Sequence, residues 1–448
     1  MNLKQGIRAT VFLLIFAVLF TNISRIFTLS SEDHGYHGMA AIYEEEEKIL
    51  DAVYIGSSNT YAFWNPMVAW EEYGIAVHTY TCSSQPFLIA EYLLKEARKT
   101  QPDAIYLFNV NTIGDEGLGG SASDSTIMHR ILDSMPLSLN KLKLTDYMSD
   151  IAGFSFSDRL EYYFPIVKFH SRWDDIDSTH FSVTPNNYKG ADFYNYYFDR
   201  RIDVTKKYKK TQDKCELKKV LRDSINSLLD YCDENNVKAV FITAPRAENE
   251  MKNVEKINVV NEIIESRGYP TINILDKYEE LNLDLTQDYY NNNHTNIHGS
   301  IKYTYYLSEY LIKNYGFKDK RNDSAYSTWN KGYKEYYEYM KPYVLDFELN
   351  PEYRNFDLAA PKDVAVVNND MTVTVSWNKI DSADGYVIYR KQGLGSAWKE
   401  IGQVSDISFE DKDIKKDKSY YYTVVPFTEE NGERYYGNYL YNGINIEV

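Results

Sequence analysis

Residues 49–61 read Ile-Leu-Asp-Ala-Val-Tyr-Ile-Gly-Ser-Ser-Asn-Thr-Tyr. Leu50, Val53, Tyr54 and Ile55 form a short apolar run without helical spacing, the pattern of a strand buried on both faces of a parallel sheet. The run stops at Gly56-Ser57-Ser58-Asn59, and amphipathic sequence follows. A strand that ends in glycine and small hydroxyl residues sets them at the carboxyl edge of a sheet, where open α/β folds hold their ligands. A serine in that place is a candidate nucleophile. The plainer reading is a strand-to-helix turn in which Ser or Asn caps the helix.

Outward from this stretch, strand-like and helix-like segments alternate. Residues 65–73 are expected to be helical, 76–81 extended, 88–99 helical and 104–110 a buried strand. After a less regular middle, 114–213, the alternation resumes with helices at 216–234 and 254–266, strands at 237–244 and 271–275, and a last helix at 300–313. Such alternation indicates a doubly wound, mostly parallel sheet built from right-handed crossovers. The middle segment is expected to be an insertion that lids the site. Trp329, Tyr333, Tyr336 and Tyr337 stand at near-helical spacing and are expected to pack back on the domain. Beyond residue 358 the pattern changes to some seven short alternating segments separated by turn residues, which describe a β-sandwich.

The net charge of −16 argues against nucleic acid as a partner, because phosphate binding needs clustered Lys and Arg. The three cysteines, Cys82, Cys215 and Cys232, fit neither a disulfide framework nor a zinc pattern. At the N-terminus, Lys4 and Arg8 precede an uncharged apolar run at 9–23, and Arg25 follows it. As a helix this run spans about 22 Å, and including Ile26 and Phe27 brings it closer to the roughly 30 Å of a bilayer core. No small-x-small cleavage site follows. The expectation is an uncleaved signal anchor over 7–27, with the N-terminus cytoplasmic and the body extracytoplasmic. Residues 28–47 then form a connector, 48–350 the α/β domain and 358–448 the β domain.

Gly56-Ser57-Ser58 resembles the first block of the SGNH/GDSL hydrolase superfamily, with Ser57 where Asp is common. Late in the chain, Asn291-Asn292-Asn293-His294-Thr295-Asn296-Ile297-His298-Gly299 resembles the final block, Asp-x-x-His followed by x-Asn-x-x-Gly. The wider sequence is similar to the membrane-anchored cell-envelope branch, related to alginate O-acetyltransferases and to proteins of teichoic-acid D-alanylation. The resemblance covers roughly residues 48–317 and implies a flavodoxin-like three-layer sandwich. It also implies Ser58 as nucleophile, with Ser57 as rival, and His294 as base. Oxyanion contacts would come from Ser84 and Asn111 (with Asn109 as the other fit), and Asn59 is a further candidate contact. Apart from the resemblance, His170-Ser171-Arg172-Trp173 can line the pocket, with Arg172 holding an anionic or sugar group; the plainer reading sets Trp173 in the core and Arg172 in a salt bridge. At the acid position this chain has Asn291; Asp288 is the carboxylate nearby. An Asn carbonyl can accept from an imidazole N–H but cannot stabilise imidazolium by charge. His294 and His298, four apart, also raise a metal reading, but no Glu stands in the zincin arrangement; no metal and no cofactor is expected.

The C-terminal segment resembles a fibronectin type III domain through Pro361, Trp377, Gly385-Tyr386-Val387-Ile388-Tyr389-Arg390 and Tyr420-x-Tyr422-x-Val424. Trp377 and Tyr422 read as core and corner residues. The implied function is an esterase or O-acyltransferase acting on acylated cell-envelope polysaccharide. The alternative is a catalytically silent protein that holds glycan or protein partners through the C-terminal module.

Overall fold

A computed structural model describes residues 3–28, 34–114, 125–176, 188–191, 210–247, 251–393 and 396–448. The chain opens with helix α1 (Leu3–Ile26). Residues 7–19 of α1 are exposed on every side. Over Lys4–Ser24 its mean hydropathy is 2.0, which makes it long and apolar enough to cross a membrane, a property shared with signal sequences. A short helix, α2 (His34–Ala40), leads towards the sheet.

The apolar run of residues 52–56 becomes β1 (Ala52–Gly56), buried along its whole length. It is followed by α3 (Ser58–Phe63), α4 (Pro66–Tyr73) and β2 (Val77–Thr81). Helix α5 (Ala90–Ala97) then leads to β3 (Ile105–Asn109). The middle of the chain contributes α6 (Ser125–Ser134), α7 (Leu139–Ala152), α8 (Phe156–Tyr163) and α9 (Ile166–Phe169). The alternation returns with α10 (Lys219–Glu234), β4 (Ala239–Thr243), α11 (Met251–Ser266) and β5 (Thr271–Asn273). A small hairpin, β6 (Tyr289–Asn291) and β7 (His294–Thr295), precedes α12 (Ile297–Tyr315) and α13 (Ser327–Met340).

The five main strands pair in parallel in the order β2-β1-β3-β4-β5. The order reverses between β1 and β3, so a crevice opens at their carboxyl ends. Alternate side chains serve opposite faces. Ala52 and Tyr54 join Leu107, Tyr303, Leu307 and Leu311 in one core layer. Val53 and Ile55 join Leu93, Leu94, Ile225, Leu228 and Leu229 in the other. The polar tip of Tyr54 is satisfied inside the first layer by the hydroxyl of Tyr303 at 2.8 Å, so the ring is buried without leaving a donor orphaned.

Helix boundaries follow from local chemistry. Asn65 caps α4 by accepting from the N–H groups of Met67 and Val68, and Pro66 occupies the first helical position. Asn296 caps α12 in the same way, through His298 and Gly299, so that helix begins at Ile297, earlier than its spacing alone indicates. The aromatic stripe of α13 does pack back: Trp329 and Tyr336 are fully buried, and the Trp329 ring lies 5.4 Å from that of Trp70.

The C-terminal strands are β8 (Ala365–Asn368), β9 (Val373–Ser376), β10 (Gly385–Gln392), β11 (Lys399–Val404), β12 (Ser408–Asp411), β13 (Ser419–Glu430), β14 (Glu433–Tyr436) and β15 (Ile444–Glu447). They form two antiparallel sheets, β12-β9-β8 and β11-β10-β13-β14, with β15 pairing with β13. One core joins the two sheets and holds Val375, Trp377, Tyr386, Ile388, Tyr422 and Val424. The Tyr422 hydroxyl donates to Asp411 at 2.7 Å. The join to the α/β region is a buried polar cluster in which His298 stacks on Tyr441 at 3.6 Å and meets Glu348 at 3.2 Å, with Arg354 paired to the same carboxylate.

Much of the segment read as a lid, residues 115–124, 177–187 and 192–209, lies outside the described residues. Its described part packs elsewhere: α6 against α2, α7 against α5 and α9 against α1.

Gly56 is where the sheet edge tolerates no side chain. A methyl built there would overlap Thr60 Oγ1 and come 2.7 Å from Asn109 Cβ. Gly56→Ala is therefore expected to destabilise the protein by about 1–3 kcal/mol, read as a lower urea midpoint with an unchanged slope.

Candidate active site

The carboxyl edge of the sheet collects residues from four loops. Ser58 starts α3 immediately after β1, Asn109 ends β3, Arg246 follows β4 and His294 opens β7. Ser58 and His294, 236 positions apart, meet there: His294 Nε2 lies 2.8 Å from Ser58 Oγ. Ser58 is half-buried. Its neighbour Ser57 is 1% exposed and its hydroxyl faces Asn59 Oδ1 at 3.5 Å. The arrangement distinguishes the two serines, and Ser58 is the one that faces a base. Ser57 occupies the N-cap position of α3 without a side-chain capping bond.

The tautomer of His294 is fixed by Asn291. The Asn291 Oδ1 accepts the backbone N–H of Asn293 at 2.9 Å and of His294 at 3.1 Å, and it lies 3.0 Å from His294 Nδ1. Two backbone donors identify that atom as the oxygen, which can only accept. Nδ1 must then carry the proton, leaving the Nε2 lone pair towards the serine hydroxyl. This is the form a general base needs. The carbonyl orients the ring but brings no negative charge.

Burial, with the Arg246 guanidinium adding a smaller push in the same direction, lowers the His294 pKa from its ordinary 6.5 to about 4. Arg246 Nη2 donates to Asn59 Oδ1 at 3.0 Å, while Asn59 Nδ2 donates to the Asn293 carbonyl at 2.6 Å. Asn59 thus ties the β1–α3 turn to the β6–β7 hairpin and to Arg246. Its amide is engaged on both ends, so it braces the site. Arg246 itself was missed in the sequence. The run Ala244-Pro245-Arg246 after β4 carried the signal, because every loop on this edge belongs to the site.

The other candidates are placed as follows. Asn111 is spent on the chain: its Nδ2 donates to the Ala244 carbonyl at 3.1 Å and its Oδ1 accepts the Ala244 N–H at 2.6 Å. Asn109 is the better fit of the two, since its Nδ2 is buried with no hydrogen-bond partner among the described residues. Ser84 is exposed in a tight turn at φ +57°, a left-handed conformation that favours glycine. Asp288 does not reach His294 as a substitute acid. It is buried on Lys302 at 2.8 Å and accepts the Asp284 N–H at 2.7 Å. Arg172 does not line the site either: it donates to the Thr28 carbonyl at 3.1 Å, beside the end of α1. His298 is engaged by Glu348, and no group of three His, Cys, Asp or Glu among the described residues could hold a metal.

The charge balance around the imidazole can be measured directly. His294 is expected to titrate near pH 4 by NMR of its Cε1–H, and Arg246→Gln to move that value upward because a repelling cation is gone.

Comparison with protein families and with curated proteins finds no match. Solved structures similar to part of the chain include an Fn3-like protein from Clostridium thermocellum, 20% identical over 18% of this chain and 90% of that one, with a TM-score of 0.16. A FN3 domain of human collagen XX is 17% identical over 21% and 96%, with a TM-score of 0.17. Pectate lyase PelI from Erwinia chrysanthemi is 16% identical over 18% and 27%, with a TM-score of 0.16. TM-scores this low carry no argument about the chain as a whole.

Proposed function

We propose that this protein is an SGNH-type serine esterase or O-acyltransferase, anchored by α1 with its body outside the cytoplasm, that acts on acyl esters of cell-envelope polysaccharide. The observation that carries the reading is the 2.8 Å approach of His294 Nε2 to Ser58 Oγ. In the proposed cycle, Ser58 Oγ attacks the ester carbonyl and its proton passes to His294 Nε2. The imidazolium returns that proton to the departing alkoxide, leaving an acyl-serine. Water or a sugar hydroxyl then releases the acyl group by the reverse sequence. The backbone N–H of Ser58, the Nδ2 of Asn109 and the N–H of Ser84 are the proposed donors to the oxyanion.

The positive charge of Arg246 suits an anionic intermediate or an anionic sugar, and it opposes the imidazolium. With Asn291 in the acid position, that imidazolium lacks a counter-charge, so turnover is expected to be slow. The same substitution favours a second reading, a silent SGNH-fold protein. In both readings we assign the C-terminal sheets to a fibronectin type III module that serves as spacer or holds a glycan or protein.

The test is hydrolysis of p-nitrophenyl acetate by the full chain in detergent. Ser58→Ala is expected to reduce the rate to that of buffer, and identical rates for the two proteins reject the esterase assignment. Asn291→Asp is expected to raise kcat, by up to about 10⁴-fold, the factor lost when a serine-protease triad undergoes the opposite change. Because a neutral His294 is the active form and its pKa lies near 4, kcat/KM is expected to stay level from pH 8 to about 5. It should fall only below that, where the imidazole takes up a proton. A fall centred near pH 6.5 would show that burial does not control this base.

A further inference from the structure

Helix α1 is not a free tether. From Phe20 onward the body closes on it. Phe20 meets Phe164 edge-on at 5.3 Å, and Ser24 Oγ accepts the Ile166 N–H at 3.2 Å. Phe27, 1% exposed, meets Trp173 edge-on at 4.6 Å, while Arg172 donates to the Thr28 carbonyl. Helices α8 and α9 and the turn after them therefore flank the last turns of α1. Phe20 stands six residues before the helix end, so Phe164 touches α1 about 9 Å below that end.

The same segment carries large apolar side chains in the open. Phe156 is 76% exposed, Trp173 64%, Val167 48% and Phe164 39%. Helix α8 is fixed at its start by a capping box between Ser155 and Asp158, so Phe156 projects from an ordered first turn. Four large apolar side chains left exposed within one short segment point to a contact surface. This one lies beside the only stretch among the described residues apolar enough to cross a bilayer. Interfacial helices bury their apolar faces about 5–10 Å below the headgroups, and with the end of α1 at headgroup level Phe164 lies within that range.

We propose that residues 156–173 lie in the interfacial layer of the bilayer spanned by α1, with Phe156, Phe164, Val167 and Trp173 among the acyl chains. The occupant of this surface is lipid. The proposal rests on α1 being a retained span, and it holds whether or not the Ser58 site is active. Two attachments, a span and an adjoining wedge, fix the tilt of the α/β domain and hold its catalytic edge at a set height above the membrane.

Trp173 reports on this directly. Trp64, Trp70 and Trp329 are fully buried, Trp377 is nearly so and Trp398 is half-buried in the C-terminal sheets. Full-length protein is reconstituted in phosphatidylcholine vesicles with and without bromine on the acyl chains. Bromolipid is expected to quench part of the tryptophan emission, and the loss should vanish in Trp173→Phe, which keeps a ring against Phe27. Phe156→Asp, at an exposed position, is expected to reduce the quenching by placing a charge in the layer. Intact mass of the same sample reads whether α1 is present. Loss of α1 rejects the anchor and the proposal with it. With α1 retained, equal quenching of wild type and Trp173→Phe, or none in either, overturns the interfacial placement alone. Trp173 shielded from iodide in native membranes but unquenched in pure bromolipid would assign the patch to a membrane protein, which also overturns it.

Discussion

The site depends on a tie between two distant stretches of chain: the Asn59 amide on the Asn293 carbonyl, beside the Ser58–His294 contact. Neither stretch can place the other by local structure. They meet because β1 ends at the point where the strand order reverses, and because α12 returns the chain across the same sheet. Asn296 fixes where α12 starts, the hairpin before it is short, and the imidazole consequently has little freedom. Gly56 completes the arrangement by letting Thr60 and Asn109 close on the end of β1.

The electrostatics of this edge pull in two directions. Asn291 sets the His294 tautomer that a base requires, through an oxygen already bound by two backbone N–H groups. Burial and Arg246 keep that imidazole neutral down to acid pH. A neutral base is available across a wide range, but the cation it must become is disfavoured by the same surroundings. An acid at position 291 would relieve this, and Asp288, the nearest carboxylate in sequence, is committed to Lys302. The cost falls on the transition state, where charge separates, and spares the resting state.

Much of the architecture was legible in the sequence because the relevant signals are local. Uniform burial of 52–56 reads as a parallel strand, alternation after residue 358 reads as two-faced sheets, and Trp329 with Tyr336 reads as a packed stripe. Ser58 and His294 were legible from strand-end position and motif together. What was not legible depends on tertiary partners. Nothing in the sequence shows that Asn111 is consumed by the backbone of Ala244 while Asn109 is left with an unused donor. Arg172 offered two readings, an anion ligand or a salt bridge beside a core Trp173; instead it donates to the Thr28 carbonyl at the end of α1, and Trp173 is exposed. Arg246 was overlooked for the opposite reason, since it has no motif and gains its place only when β4 is aligned beside β3.

The central claim is that Ser58 is an activated nucleophile. Its most direct test is treatment of the full chain with a fluorophosphonate, followed by mass spectrometry of the peptides. The account predicts one phosphonyl group per chain, on Ser58, with His294→Ala abolishing it. An unmodified Ser58, or label carried by Ser57 or Ser84 instead, would contradict it.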